Sequence, residues 1–220
     1  NINFRKTFIE RFIRLNLIQL RFIPFFLFLM PIVVSLSIII SLFLGESANQ
    51  FQLAEGFSFS TGFVPVLLLL FMAAAFEELG WRGYAFDSLQ SRMNYFKASL
   101  IFSILWSAWH FPLIFVKDSY QYEVFQQNIL FGINFFVSII PMGIIISWIC
   151  IKNKKSILAA ILFHFIINLS QEALAVTQIT KCIETIVLTV CAIIIIHLDR
   201  ELFFTAPCEK TSEEMRKHHE

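Results

Sequence analysis

The chain has 220 residues, 57% of them hydrophobic and only 15% charged, with 27 Phe and a mean hydropathy of +0.72. A water-soluble domain holds about 45–50% apolar and about 25% charged residues, so an ordinary soluble globule, a disordered chain and collagen are excluded together. A net charge of +1 supplies no field for a polyanion, so the expected surroundings are a lipid bilayer and no nucleic acid.

In residues 1–21, Phe4, Phe8, Ile9, Phe12 and Leu15 recur at helical spacing, with Arg5, Lys6, Arg11 and Arg14 between them and Arg21 after them. That pattern predicts a basic amphipathic helix at the membrane surface, or a positive anchor for the first span. The sequence opens at Asn1 without Met, and its scattered cations do not form a signal peptide.

Six candidate spans follow, since a bilayer core of about 30 Å takes about 20 residues of helix. Segments 22–44 and 129–151 carry no charge, and 98–116 is uncharged apart from His110. Segment 63–76 is shorter and runs into Glu77-Glu78, 157–169 contains His164 and Asn168, and 179–197 holds Lys181 and Glu184 near its start. The expected fold is therefore an all-α membrane protein, a polytopic bundle of about six transmembrane helices preceded by an N-terminal amphipathic helix. The helical domain spans 22–198, and a charged tail occupies 199–220.

Fifteen of the 17 Lys and Arg fall before the first span, in alternate connections and in the tail; the other connections hold Lys117 and Lys181. Positive residues stay on the cytoplasmic side, so both termini are expected in the cytoplasm of a multi-pass cell-membrane protein. Its Ile, Phe, Lys and Asn richness points to a bacterial source. Cys150, Cys182, Cys191 and Cys208 form no CxxC pair and read as packing or tail residues, and His218-His219 is a weak metal signal.

Ionisable groups inside a membrane are costly and mark function. Glu78 and Arg82 stand at i and i+4, where they can pair, while Glu77 points about 100° away around the helix. Trp106 and His110 share the same spacing, with Pro112 just beyond, as do His164 and Asn168. Separately, these sets also fit a solvated span end, a hydrogen-bonded core histidine and a polar clamp between helices. Counted from their cytoplasmic helix ends, Glu77 and His164 lie roughly 10 Å deep, Asn168 roughly 16 Å and His110 roughly 18 Å. Three helices thus bring a carboxylate, two imidazoles and an amide to one level.

A carboxylate beside an imidazole can deprotonate water, and a His and Asn pair can donate to the oxyanion formed at an attacked carbonyl. No Ser or Cys stands where a covalent mechanism needs it. Zinc held by Glu77, His110 and His164 is the rival chemistry; HExxH is absent, and the residues leave the two open.

The ordered motifs Glu77-Glu78-x-x-x-Arg82, Trp106-x-x-x-His110 with Pro112, and His164-x-x-x-Asn168 resemble those of the CAAX protease and bacteriocin-processing (CPBP) family of intramembrane proteases, over roughly 63–169. The resemblance implies a helical membrane endopeptidase related to enzymes that remove the last three residues of prenylated CAAX proteins. It implies that Glu77 with His110 activates water, that His164 with Asn168 forms the oxyanion site, and that Glu78 and Arg82 support them. Trp106 stands where the family motif usually begins with Phe. A glutamate-dependent reaction requiring no cofactor is the favoured implication, with zinc the alternative. The expected partner is a peptide or protein substrate, a small peptide or a membrane-protein tail. A non-catalytic bacteriocin-immunity or peptide-binding membrane protein, and more remotely a transporter, are the other readings.

Overall fold

The computed structural model describes residues 2–56 and 65–205. Helix α1 (Ile2–Ile13) lies at the N-terminus, and α2 (Ile23–Leu42) begins on Pro24, whose missing N–H costs nothing in a first turn. Helix α3 (Val66–Gly80) runs into a π-helical turn, Trp81–Ala85, and on into α4 (Phe86–Gln90). Then come α5 (Tyr95–Trp109), α6 (Tyr120–Gln127), α7 (Ile129–Lys152), α8 (Ile157–Ala173), α9 (Gln178–Leu198) and α10 (Arg200–Phe204). Helices α5 to α9 each open on a capping oxygen, those of Asn94, Ser119, Asn128, Ser156 and Thr177, which accept a backbone N–H of the first turn. No strand occurs among the described residues. An isolated bridge, Leu53 to Leu174, ties the loop after α2 to that after α8.

The bundle is the all-helical membrane fold expected. Four stretches, Leu20–Leu42, Tyr95–Phe115, Ile129–Lys152 and Gln178–Leu198, are each long and apolar enough to cross a bilayer. The other two expected spans are the 15-residue α3 and the 17-residue α8. Helix α8 is the centre of the bundle, packed on α2, α3 and α7, and none of its residues is exposed. Large apolar side chains on α2, α5, α7 and α9, such as Phe28, Ile104, Ile133 and Ile193, instead face outward, as the lipid-facing side of a membrane bundle requires.

Three local differences from the sequence reading have physical causes. The N-terminal helix stops at Ile13 and two 3-10 turns, Leu15–Leu17 and Leu20–Phe22, continue to α2. There the Gln19 backbone N–H donates to Asn153 Oδ1 at 2.8 Å and its side chain donates to the Lys152 carbonyl, fixing the chain to the end of α7. The third span ends its α-helix at Trp109 and finishes as a 3-10 turn, Phe111–Phe115, because Pro112 has no N–H to donate. The short α6 was not expected. The tail is helical over Arg200–Phe204; Cys208 and His218-His219 lie outside the described residues.

A polar clasp holds α1 to the core. Arg11 donates to Asp87 Oδ2 at 2.5 Å, to the Arg82 carbonyl at 2.9 Å and to the Lys155 carbonyl at 2.7 Å, so one guanidinium joins α1, the π-turn, α4 and the α7–α8 connection. Cys150, Cys182 and Cys191 are free thiols.

Candidate active site

The site begins with Arg82, whose side chain is completely buried in the π-turn. Burying a lone cation is prohibitive, and three surroundings answer that cost. Its Nη1 lies 3.0 and 2.9 Å from the two carboxylate oxygens of Glu78, also completely buried. Its Nη2 reaches the Gly143 carbonyl at 3.5 Å and Ser147 Oγ at 3.4 Å. Its guanidinium carbon sits 3.9 Å from the centre of the Phe102 ring, a cation–π contact.

Glu78 carries the second connection. His164 Nδ1 lies 2.9 Å from Glu78 Oε1, and since a carboxylate only accepts, Nδ1 carries the proton that is donated. The ring is buried and packed edge-on to Trp106, centroids 5.2 Å apart. A hydrogen-bonded line thus runs from Arg82 through Glu78 to His164 and fixes that imidazole, leaving Nε2 as its remaining nitrogen.

Glu77, one residue earlier and turned away from the pair, accepts from Trp106 Nε1 at 2.7 Å through Oε2. Its other oxygen has no such anchor. His110 caps the end of α5, and its Nδ1 donates to the Trp106 carbonyl at 2.8 Å. Trp106 therefore orients both residues, the carboxylate through its indole and the imidazole through its carbonyl. Phe135 meets the His110 ring edge-on from α7. Asn168, one turn beyond His164, makes no hydrogen bond to any described residue.

Glu77, Trp106, His110, His164 and Asn168 all line one cavity of about 420 Å³ between α3, α5, α7, α8 and α9. Its walls are mainly aliphatic and aromatic, Leu70, Phe76, Trp109, Phe131, Ile139 and Leu188 among them. The sequence candidates are thus brought together, with Glu78 and Arg82 behind the wall.

Residues 59–170 match the family model for the Type II CAAX prenyl endopeptidase Rce1-like group, a stretch that contains Glu77, Glu78, Arg82, Trp106, His110, His164 and Asn168. The chain is also 62% identical over 204 residues to a Methanococcus maripaludis protein called CAAX prenyl protease 2, covering 93% of this chain and 75% of that one. The chain belongs to the CAAX prenyl endopeptidase family. It is an endopeptidase of the membrane-embedded kind, as its apolar spans and family together require.

Among the described residues no three His, Cys, Asp or Glu side chains converge as a metal-binding group would. Glu77, His110 and His164 as positioned do not form such a group.

Sequence reasoning paired Glu78 with Arg82 but missed its bond to His164, which joins residues 86 positions apart. It also missed Asn134, Tyr120 and Glu184 on the cavity wall. A polar residue inside the otherwise uncharged segment 129–151 was the available signal for Asn134.

Proposed function

We propose that this CAAX-family endopeptidase hydrolyses a peptide bond near the C-terminus of a membrane-anchored protein, with Glu77 activating the attacking water. The convergence of Glu77, His110, His164 and Asn168 on one apolar-walled cavity supports this reading most directly. The similar Methanococcus maripaludis protein is named for CAAX prenyl tails, and the aromatic and aliphatic walls suit a tail of that kind that carries a lipid.

Water would be held between Glu77 Oε1 and His110 Nε2. With Nδ1 protonated by its bond to a carbonyl, neutral His110 presents Nε2 as an acceptor. As the water oxygen bonds to the carbonyl carbon, its proton passes to Glu77. The carbonyl oxygen becomes an oxyanion facing Asn168 and His164, and an excess proton on His164 Nε2 would be offset by Glu78 behind it. The C–N bond then breaks, and the proton on Glu77 goes to the leaving amine. The distribution of Lys and Arg supports entry from the cytoplasmic side, with both termini there.

The test uses the full chain in liposomes with a synthetic peptide ending in S-farnesyl cysteine and three aliphatic residues, and the same peptide without farnesyl. Release of the C-terminal fragment, read by mass spectrometry, is expected for the farnesylated peptide and should vanish in Glu77→Gln and His164→Ala. Equal cleavage of both peptides would refute the lipid-linked substrate. Normal turnover by Glu77→Gln would refute the glutamate mechanism.

A further inference from the structure

One face of α7 forms a wall of the cavity: Phe131, Asn134, Phe135, Ser138, Ile139 and Met142, at steps of three and four, all line it. The polar groups on this face have different fates. Ser138 Oγ donates to the Phe135 carbonyl at 2.7 Å, so its hydroxyl is committed to its own helix. Asn134 makes no hydrogen bond to any described residue, although it belongs to a span of mean hydropathy 2.4. The carboxamide is half-buried and borders the cavity, where it is available to a bound molecule.

Its level is informative. Asn134 is five residues from the outset of α7 at Ile129, and Asn168 is five residues from the end of α8 at Ala173. The two helices are consecutive and joined by residues 153–156, so these two ends lie on the same side of the bundle. Phe135, next to Asn134, meets the His110 ring, and Trp106, one turn before His110, packs on His164, one turn before Asn168, so both carboxamides stand near the level of His110. Two free amide side chains therefore occupy one level of the cavity, one on α7 and one on α8. Ser107 Oγ donating to the Phe136 carbonyl at 2.9 Å holds this stretch of α7 to the end of α5 that presents His110.

A substrate entering such a cavity brings peptide N–H and C=O groups that have lost water and need partners. A carboxamide offers both a donor and an acceptor and so matches a peptide group. We propose that Asn134 is a substrate-binding residue that hydrogen-bonds a main-chain amide flanking the scissile bond, opposite the Asn168 that meets the oxyanion. This inference rests on the peptidase reading above and adds a main-chain anchor to it. The bond would be present before and during reaction, so its loss should raise KM more than it lowers kcat.

The experiment measures kcat/KM of the full chain in liposomes on the farnesylated peptide and on two analogues, each with one amide flanking the scissile bond replaced by an ester, which has no N–H. Asn134→Leu keeps the volume and removes a polar group from a span, so the fold is retained. The variant is expected to lose about 5- to 20-fold in kcat/KM on the amide peptide. On one of the esters the wild type should fall by a similar factor and the variant no further. An unchanged kcat/KM in the variant, or an equal additional loss on both esters, would overturn the assignment. Full wild-type activity on both esters would overturn it without any variant. Failure of the wild type to cleave the amide peptide at all would instead sink the peptidase reading.

Discussion

Replacing Arg82 by Met keeps most of the stem that packs on Phe102 and removes the charge, leaving Glu78 buried without its cation. Both partners are completely inaccessible and their closest approach is 2.9 Å. Breaking such a pair costs about 3–5 kcal/mol, because an uncompensated charge remains inside, whereas replacing both members with neutral groups is often near neutral. Glu78→Gln alone strands Arg82 in the same way. The double variant Glu78→Gln/Arg82→Met strands neither, and the Gln oxygen can still accept from His164 Nδ1. A double-mutant cycle should therefore give two strongly destabilised single variants and a double variant within about 1.5 kcal/mol of the wild type, a coupling of at least ~4.5 kcal/mol. The readout is reversible unfolding in mixed micelles, followed by Trp fluorescence. The double variant should nevertheless be slow on peptide substrate, since no carboxylate remains to balance a proton on His164. Additive single effects, with the double variant the least stable of all, would refute the account of Arg82 and Glu78 as one buried unit.

Trp106→Phe keeps the aromatic wall but deletes the donor to Glu77; a hydrogen bond to a charged group contributes about 1.5–3 kcal/mol, so kcat should fall roughly ten- to hundredfold with little change in melting temperature. Gly143→Ala would drive a methyl into Ser103 Oγ and its backbone where α5 crosses α7, a loss of about 1–3 kcal/mol that Ser103→Gly should partly relieve in an unfolding assay. Asp199 follows pH: burial opposes its charge, but hydrogen bonds from Lys152 and Trp148 and the charges of Lys152 and Arg21 outweigh it and hold its carboxyl below the ordinary 3.8. Its contribution is thus present above about pH 4 and lost as pH falls through the folded value. Asp199→Asn should be destabilising at neutral pH, and the gap in denaturation midpoint from the wild type should close in acid.

Much of this architecture was legible because a bilayer allows few solutions. Long apolar runs such as 129–151 have to be helices, and i, i+4 spacing already joined Glu78 to Arg82 and His164 to Asn168. What the spacing could not show was cross-helix pairing. Glu78 bonds His164, and Trp106 bonds Glu77, only because α3, α5 and α8 meet at particular rotations, which depend on close approaches such as Gly143 against Ser103. The π-turn at Trp81–Ala85 was equally invisible, since no local propensity marks a widened turn among ordinary helix formers. The end of α5 at Trp109 was half visible in Pro112, which foretold a bend where the chain makes a 3-10 turn.

Helix α8 carries His164 and Asn168, and none of its residues is exposed. Alone, 17 residues with a His, an Asn, a Gln and a Glu make a poor membrane span. Its neighbours supply the apolar surroundings and, through Glu78, the partner that His164 needs. Its place across the bilayer therefore depends on α2, α3 and α7, which pack around it. Because Glu77 stands on α3, His110 at the end of α5, and His164 and Asn168 on α8, the hydrolytic set exists only where these helices are packed together.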